Sequence, residues 1–420
     1  MPNTIHHRDP RVTELAPSGA GLRVAVPTRY ASGQLASPIP LSSLPLPRVL
    51  RTLLALAVLA GTLVWILGPC VPRVDLGPAV SVVGRTGADV VLIERPTGTP
   101  RWWAAPASAR GAAAARPLPA GILGRPALAA TGEIFGLVRN GLVRLELTAD
   151  EVIQHEALSL PQVPGPLRLV GLDGGDAPVL ADGQGRLHVR FDGAWTPLAT
   201  EAAVAECADP SQIVLSPVGR VLAYPGAEGW TLWLWGPDGP RSLAAPGSGG
   251  EAAVFAPDGT CLVVEGRTDG LRRLMLSNGS LEFMALGNLG TSRRVPFSAG
   301  FRGDPPVLIA PQRDFEGIVH VFQTQVVNEM RVSLTTGGHH HYAPVVSLDG
   351  RSVAYLQAPF DEDGDDAIVE SLYVHDFEKG HAVKCLKRRA LPGPGRGPLF
   401  VGHSPVVALI ADGRAILVRP

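Results

Sequence analysis

Three consecutive histidines, His339-His340-His341, are the densest grouping of metal-capable side chains in this 420-residue chain. Neutral imidazole is a ligand for zinc and copper, which makes the three candidate ligands. Successive residues of an extended chain point to opposite sides, however, and that favours a solvent-exposed loop between repeating units. A second grouping is Asp361-Glu362-Asp363-Gly364-Asp365-Asp366, in which Asp361, Asp363 and Asp365 are candidate calcium ligands. A helix-loop-helix calcium site wants glycine at its sixth position and glutamate at its twelfth. Asp366 and Leu372 stand there, so the run reads better as a solvated hairpin insertion. Lys384, Lys387, Arg388 and Arg389 form a short basic run of the kind that usually marks a solvated strand end.

Nucleophilic chemistry finds less support. A hydrolase of the α/β type needs a strained Gly-x-Ser-x-Gly turn to expose its serine, and Gly247-Ser248-Gly249 lacks that pattern. No catalytic residue is assigned, no cofactor is expected, and the chain reads as a non-enzyme. Cys70, Cys207, Cys261 and Cys385 stand too far apart for a CxxC zinc or redox pair. They are expected as small buried hydrophobes, with a Cys207 to Cys261 disulfide as the alternative. Trp102 and Trp103 are expected in packing. Trp230, Trp233 and Trp235 are expected together on one face of a strand. A net charge of −1 gives no field that would draw nucleic acid.

The elements that must position these residues are short strands. QIVLSPVGRVLAYP from Gln212, AAVFAPDGTCLVVE from Ala252 and APVVSLDGRSVAYL from Ala343 each read apolar strand, tight glycine turn, apolar strand. Such a turn is too short for anything but an antiparallel hairpin. The turn glycines Gly87, Gly132, Gly174, Gly219, Gly259, Gly303 and Gly350 follow one another at steps of 40 to 47 residues, and an eighth turn falls near Gly402. That period suits four short strands, one blade of a β-propeller. A single blade cannot cover both faces of its own sheet, so the blades must stack, and a ring leaves no uncovered end. The reading is an all-β propeller of seven or eight four-stranded blades, eight preferred, over residues 72–420. Its last blade, ending RAILVRP, is completed by a strand near Pro72 to Leu76.

One repeat carries a family likeness. Leu334-Thr335, Pro344, Ser347-Leu348-Asp349-Gly350, Val353-Ala354-Tyr355 and Leu372-Tyr373-Val374-His375-Asp376 occur in the order found in TolB-type, WD40-like (PD40) propellers. Ala256-Pro257-Asp258-Gly259 and Ser216-Pro217-Val218-Gly219 are shorter matches. The chain resembles that family, and the resemblance implies the propeller fold.

Upstream lies a different kind of sequence. Thr52 to Val71 holds no charged residue and is bracketed by Arg51 and Arg73. About 20 apolar residues match the roughly 30 Å of a hydrocarbon core, so residues 48–71 are expected to form a single transmembrane helix. Residues 1–47 are rich in proline and arginine and are expected to be a disordered tail. Their arginines place the tail in the cytoplasm and the propeller outside it, at a bacterial inner membrane. A cleaved signal, or a lipid-anchored Cys70, is the alternative. The function expected from these parts is protein binding or scaffolding, with an envelope protein or peptide as partner. The alternative is an extracytoplasmic sensor holding a small ligand, sugar or metal in the propeller channel.

Overall fold

In the computed structural model the described residues are 52–53 and most of 71–420; the larger stretches outside them are 198–212, 267–270, 277–280, 285–298, 361–370 and 388–396. Eight four-stranded antiparallel sheets follow one another along the chain as the blades of a propeller. Blades 1 to 7 are built from residues 81–117, 127–154, 168–197, 214–246, 248–284, 300–333 and 339–387. Blade 8 joins three strands within 399–418 to Arg73–Pro78, which pairs with Arg414–Val418. The expected closing strand is therefore present, and the blade count is eight.

Burial follows strand position. Second strands are mostly apolar and buried, as in Val90–Glu94, Pro178–Ala181 and Val406–Ala411. They lack the alternation of a half-exposed strand because a neighbouring blade covers each face. Fourth strands such as Val152–Gln154 and Arg331–Ser333 are largely exposed. First strands of adjacent blades touch one another, which places them around the axis. Space there is short. A side chain at Gly300 would come within 2.8 Å of Val346 in the next blade, and one at Gly171 within 2.7 Å of Leu215.

The core is divided accordingly. Each of the eight junctions between blades has its own apolar cluster, from Val83, Leu92 and Ile134 between blades 1 and 2 to Leu76, Ile93 and Leu417 between blades 8 and 1. Antiparallel pairing also gives the ring two unlike ends. First-to-second and third-to-fourth turns share one end, here the turn end. Second-to-third turns and the connections between blades share the other, the crossover end.

The expected turn glycines all fall in first-to-second turns, and seven of the eight have positive φ. Gly174 is the exception. A side chain on it would lie 2.6 Å from the backbone of Val218 in the next blade, and Asp176 takes the left-handed position with φ 60°. No helix among the described residues is long and apolar enough to cross a membrane. The expected span lies outside the described residues except for Thr52, Leu53 and Val71, and the tail 1–47 lies wholly outside them.

Candidate functional site

The histidine run opens the first strand of blade 7, His339–Val346, at the crossover end. The exposed loop expected for it is not found: His339 is exposed, but His340 and His341 are buried. Strand alternation sends the two rings to different neighbours. His340 Nδ1 accepts the Val319 amide at 3.0 Å, and its ring lies 5.1 Å from that of Phe360. His341 instead stacks on His320 of blade 6, ring centroids 5.7 Å apart, and meets Tyr355 edge-on at 5.6 Å. Its Nδ1 is buried without a hydrogen-bond partner. Burial, followed by the neighbouring His320 and His339, lowers its pKa to about 3, so the ring is neutral.

Among the described residues, no three His, Cys, Asp or Glu side chains come together as a metal ion requires. Asp361, Asp363 and Asp365 fall between the two middle strands of blade 7, outside the described residues.

His320 belongs to a hydrogen-bonded chain. The Val321 amide donates to Thr335 Oγ1 at 3.0 Å, and Thr335 Oγ1 lies 3.3 Å from His320 Nδ1. His320 Nε2 stands 3.3 Å from Asp314 Oδ2. Asp314 Oδ1 closes the second-to-third turn of blade 6, accepting the amides of Glu316 and Ile318 at 2.9 Å each. Hydroxyl, imidazole and carboxylate stand in the order used to activate a nucleophile. Thr335, however, is only 5% exposed, and its oxygen already accepts an amide.

Blade 3 shows what the carboxylate and imidazole do. There Asp182 Oδ1 accepts the amides of Gln184 and Arg186 at 2.9 Å each, and Asp182 Oδ2 lies 3.2 Å from His188 Nε2. The offsets of two, four and six residues repeat, and Gly185 and Gly317 both take the left-handed φ, 81° and 82°. Asp-x-x-Gly-x-x-His is thus a lock for a second-to-third turn. Burial pushes the Asp182 pKa up, but the hydrogen bonds from Arg186, His188 and the backbone outweigh it and hold the value at about 2.

On the locked turn of blade 6 sits Phe315, 95% exposed. Phe360, 46% exposed, directly follows the second strand of blade 7, Ser352–Pro359, at the same end of the ring. Sequence reasoning missed both the lock and these tips. The signal was the recurrence of DGQGRLH at 182–188 and DFEGIVH at 314–320.

The remaining expectations divide. Cys261 and Cys385 are buried, with burial pushing the Cys385 thiol up to about 11. Cys207 lies outside the described residues, as do Arg388 and Arg389. Lys384 rests 5.5 Å from the ring of Tyr373 on the fourth strand of blade 7. Trp230 and Trp233 are both buried but do not share a face. Trp230 packs toward blade 5 and Trp233 toward blade 3, because a step of three residues reverses the side of a strand.

No family model matches this chain, and no curated protein does. Among solved structures, the Agrobacterium tumefaciens protein described as TolB aligns over 64% of this chain and 94% of its own, at 14% identity and a TM-score of 0.36. The WD40 domain of SCAP from fission yeast aligns over 82% and 92%, at 12% identity and 0.47. Dipeptidyl peptidase 4 of Porphyromonas gingivalis aligns over 80% of this chain at 12% identity and 0.49, and the chain spans 58% of that protein. At such identities the likeness shows the fold alone. It also corrects one expectation: a peptidase stands among the fold neighbours, so the chain cannot be read as a non-enzyme. The missing Gly-x-Ser-x-Gly turn excludes one hydrolase architecture and nothing wider.

Proposed function

We propose that the propeller is a protein-binding module that engages its partner at the crossover end of blades 6 and 7. The observation that carries this reading is Phe315, 95% exposed on a turn pinned by Asp314 and His320. Leaving a phenylalanine in water on a rigid support forgoes about 2 kcal/mol of burial, which a partner recovers. Fixing the tip beforehand also removes the ordering cost that a mobile loop would pay on binding. Phe360 on the adjacent blade supplies a second aromatic contact, and aromatic anchors dominate interface energetics. The ring is held outside the cytoplasm of a bacterial cell by the apolar run 48–71, and its partner is an envelope protein or peptide.

The test is a photo-crosslinking amino acid placed in vivo at Phe315, at Phe360 and, as control, at Val218 on the turn end. One defined protein adduct at 315 and 360, absent at 218, is the expected result. Adducts at 218 alone, or none at 315 and 360 in a folded and abundant protein, refute the reading.

A further inference from the structure

From Val71 onward the chain is held by the ring. Val71 packs against the apolar cluster between blades 7 and 8. The Arg419 amide donates to the Pro72 carbonyl at 3.1 Å, and Arg73 is already in register with Val418. Val418 in turn pairs with Val407, just after the first-to-second turn of blade 8, so Arg73 lies at the turn end. The same strand finishes at the other end, where the Ala79 amide donates to Gly413 of a second-to-third turn at 2.8 Å.

We infer that the propeller stands with its turn end toward the lipid surface and its crossover end facing away from it. The inference rests on the reading of residues 48–71 as a membrane span. One residue of extended chain reaches at most about 3.5 Å, so a span whose lipid-embedded part ends just ahead of Val71 holds the turn end of blade 8 within a few residues of the interface. The strand from Arg73 to Pro78 is six residues long, which sets the crossover end roughly 20 Å farther out. The surface left to meet lipid headgroups carries apolar turn tips, Leu348 at 57% exposed and Val218 at 47%. Phe315 and Phe360 then face the aqueous compartment, where a protein can reach them.

Full-length protein in phosphatidylcholine vesicles containing headgroup-spin-labelled lipid tests this. A fluorescent amino acid replaces Leu348 at the turn end or Glu316 at the crossover end, and each variant is first shown to melt as the parent does. Quenching at 348 at least twice that at 316 is expected. Equal quenching, or more at 316, overturns the orientation while leaving the span intact. A folded chain that fails to float with the vesicles removes the span, and the inference falls with it.

Discussion

Blades 3 and 6 close their second-to-third turns with the same Asp, Gly and His, and then put the closed turn to different uses. In blade 3 the carboxylate of Asp182 is wholly buried and also receives Arg186 Nε at 2.9 Å. The place two residues before the glycine is Gly183, which offers a partner nothing. In blade 6 the Asp314 side chain keeps 19% exposure, Ile318 replaces the arginine, and the tip is Phe315. His320 is also stacked beneath His341 of the next blade. One device therefore serves stability alone in blade 3, and in blade 6 it supports an exposed aromatic and joins two blades.

The largest test of this contrast is removal of the carboxylate. Asp182→Ala strands a half-buried guanidinium and a buried imidazole, and we expect a loss of about 3 kcal/mol in urea denaturation, against about 1 kcal/mol for Asp314→Ala. Equal losses would show that the two locks do the same work.

Acid separates the blades next. The pKa of His341 in the fold lies below its ordinary 6.5, so its contribution is complete above that pH and is lost as pH falls toward 3. From the direction and size of that shift, stability should drop by about 2 kcal/mol between pH 7 and pH 5. His341→Gln should flatten the profile. A glutamine variant with an unchanged slope would exclude this ring as the source. Asp182 works the other way in origin but not in sign. Its pKa is depressed to about 2, so its share is present above the ordinary carboxylate range near 4 and fades only between there and pH 2.

The smallest effect on stability should come from the tips. Phe315→Ala and Phe360→Ala are expected to shift the urea midpoint by less than the equivalent of about 0.5 kcal/mol. Their joint effect on partner affinity, once the crosslinked protein is in hand, should reach about thirtyfold or more by calorimetry. A double variant that binds normally would return Phe315 to the status of an unexplained exposed side chain.

The sequence exposed the frame more readily than the site, for physical reasons. Turn glycines recur at a regular step because each first-to-second turn meets the same geometry beside the axis. Buried second strands such as VVALIA are visible because both their faces are covered. The histidines misled because a run of identical polar residues resembles a loop. Only the neighbouring strand, with the Val319 amide and the His320 ring, makes burial of two of them acceptable. Trp230 and Trp233 were misplaced by parity alone. The locks escaped because DGQGRLH and DFEGIVH lie 132 residues apart, with blades 4 and 5 between them, so no local window contains both.

The pairing of Arg73–Pro78 with Arg414–Val418 has a consequence for biogenesis. The first strand of the ring to leave the ribosome finds its partner only after the other seven blades have been made. Until then blade 1 has one side uncovered, and the circle is sealed only when blade 8 is complete. The interval between those two moments is when the nascent chain is most open to chaperones, and to aggregation.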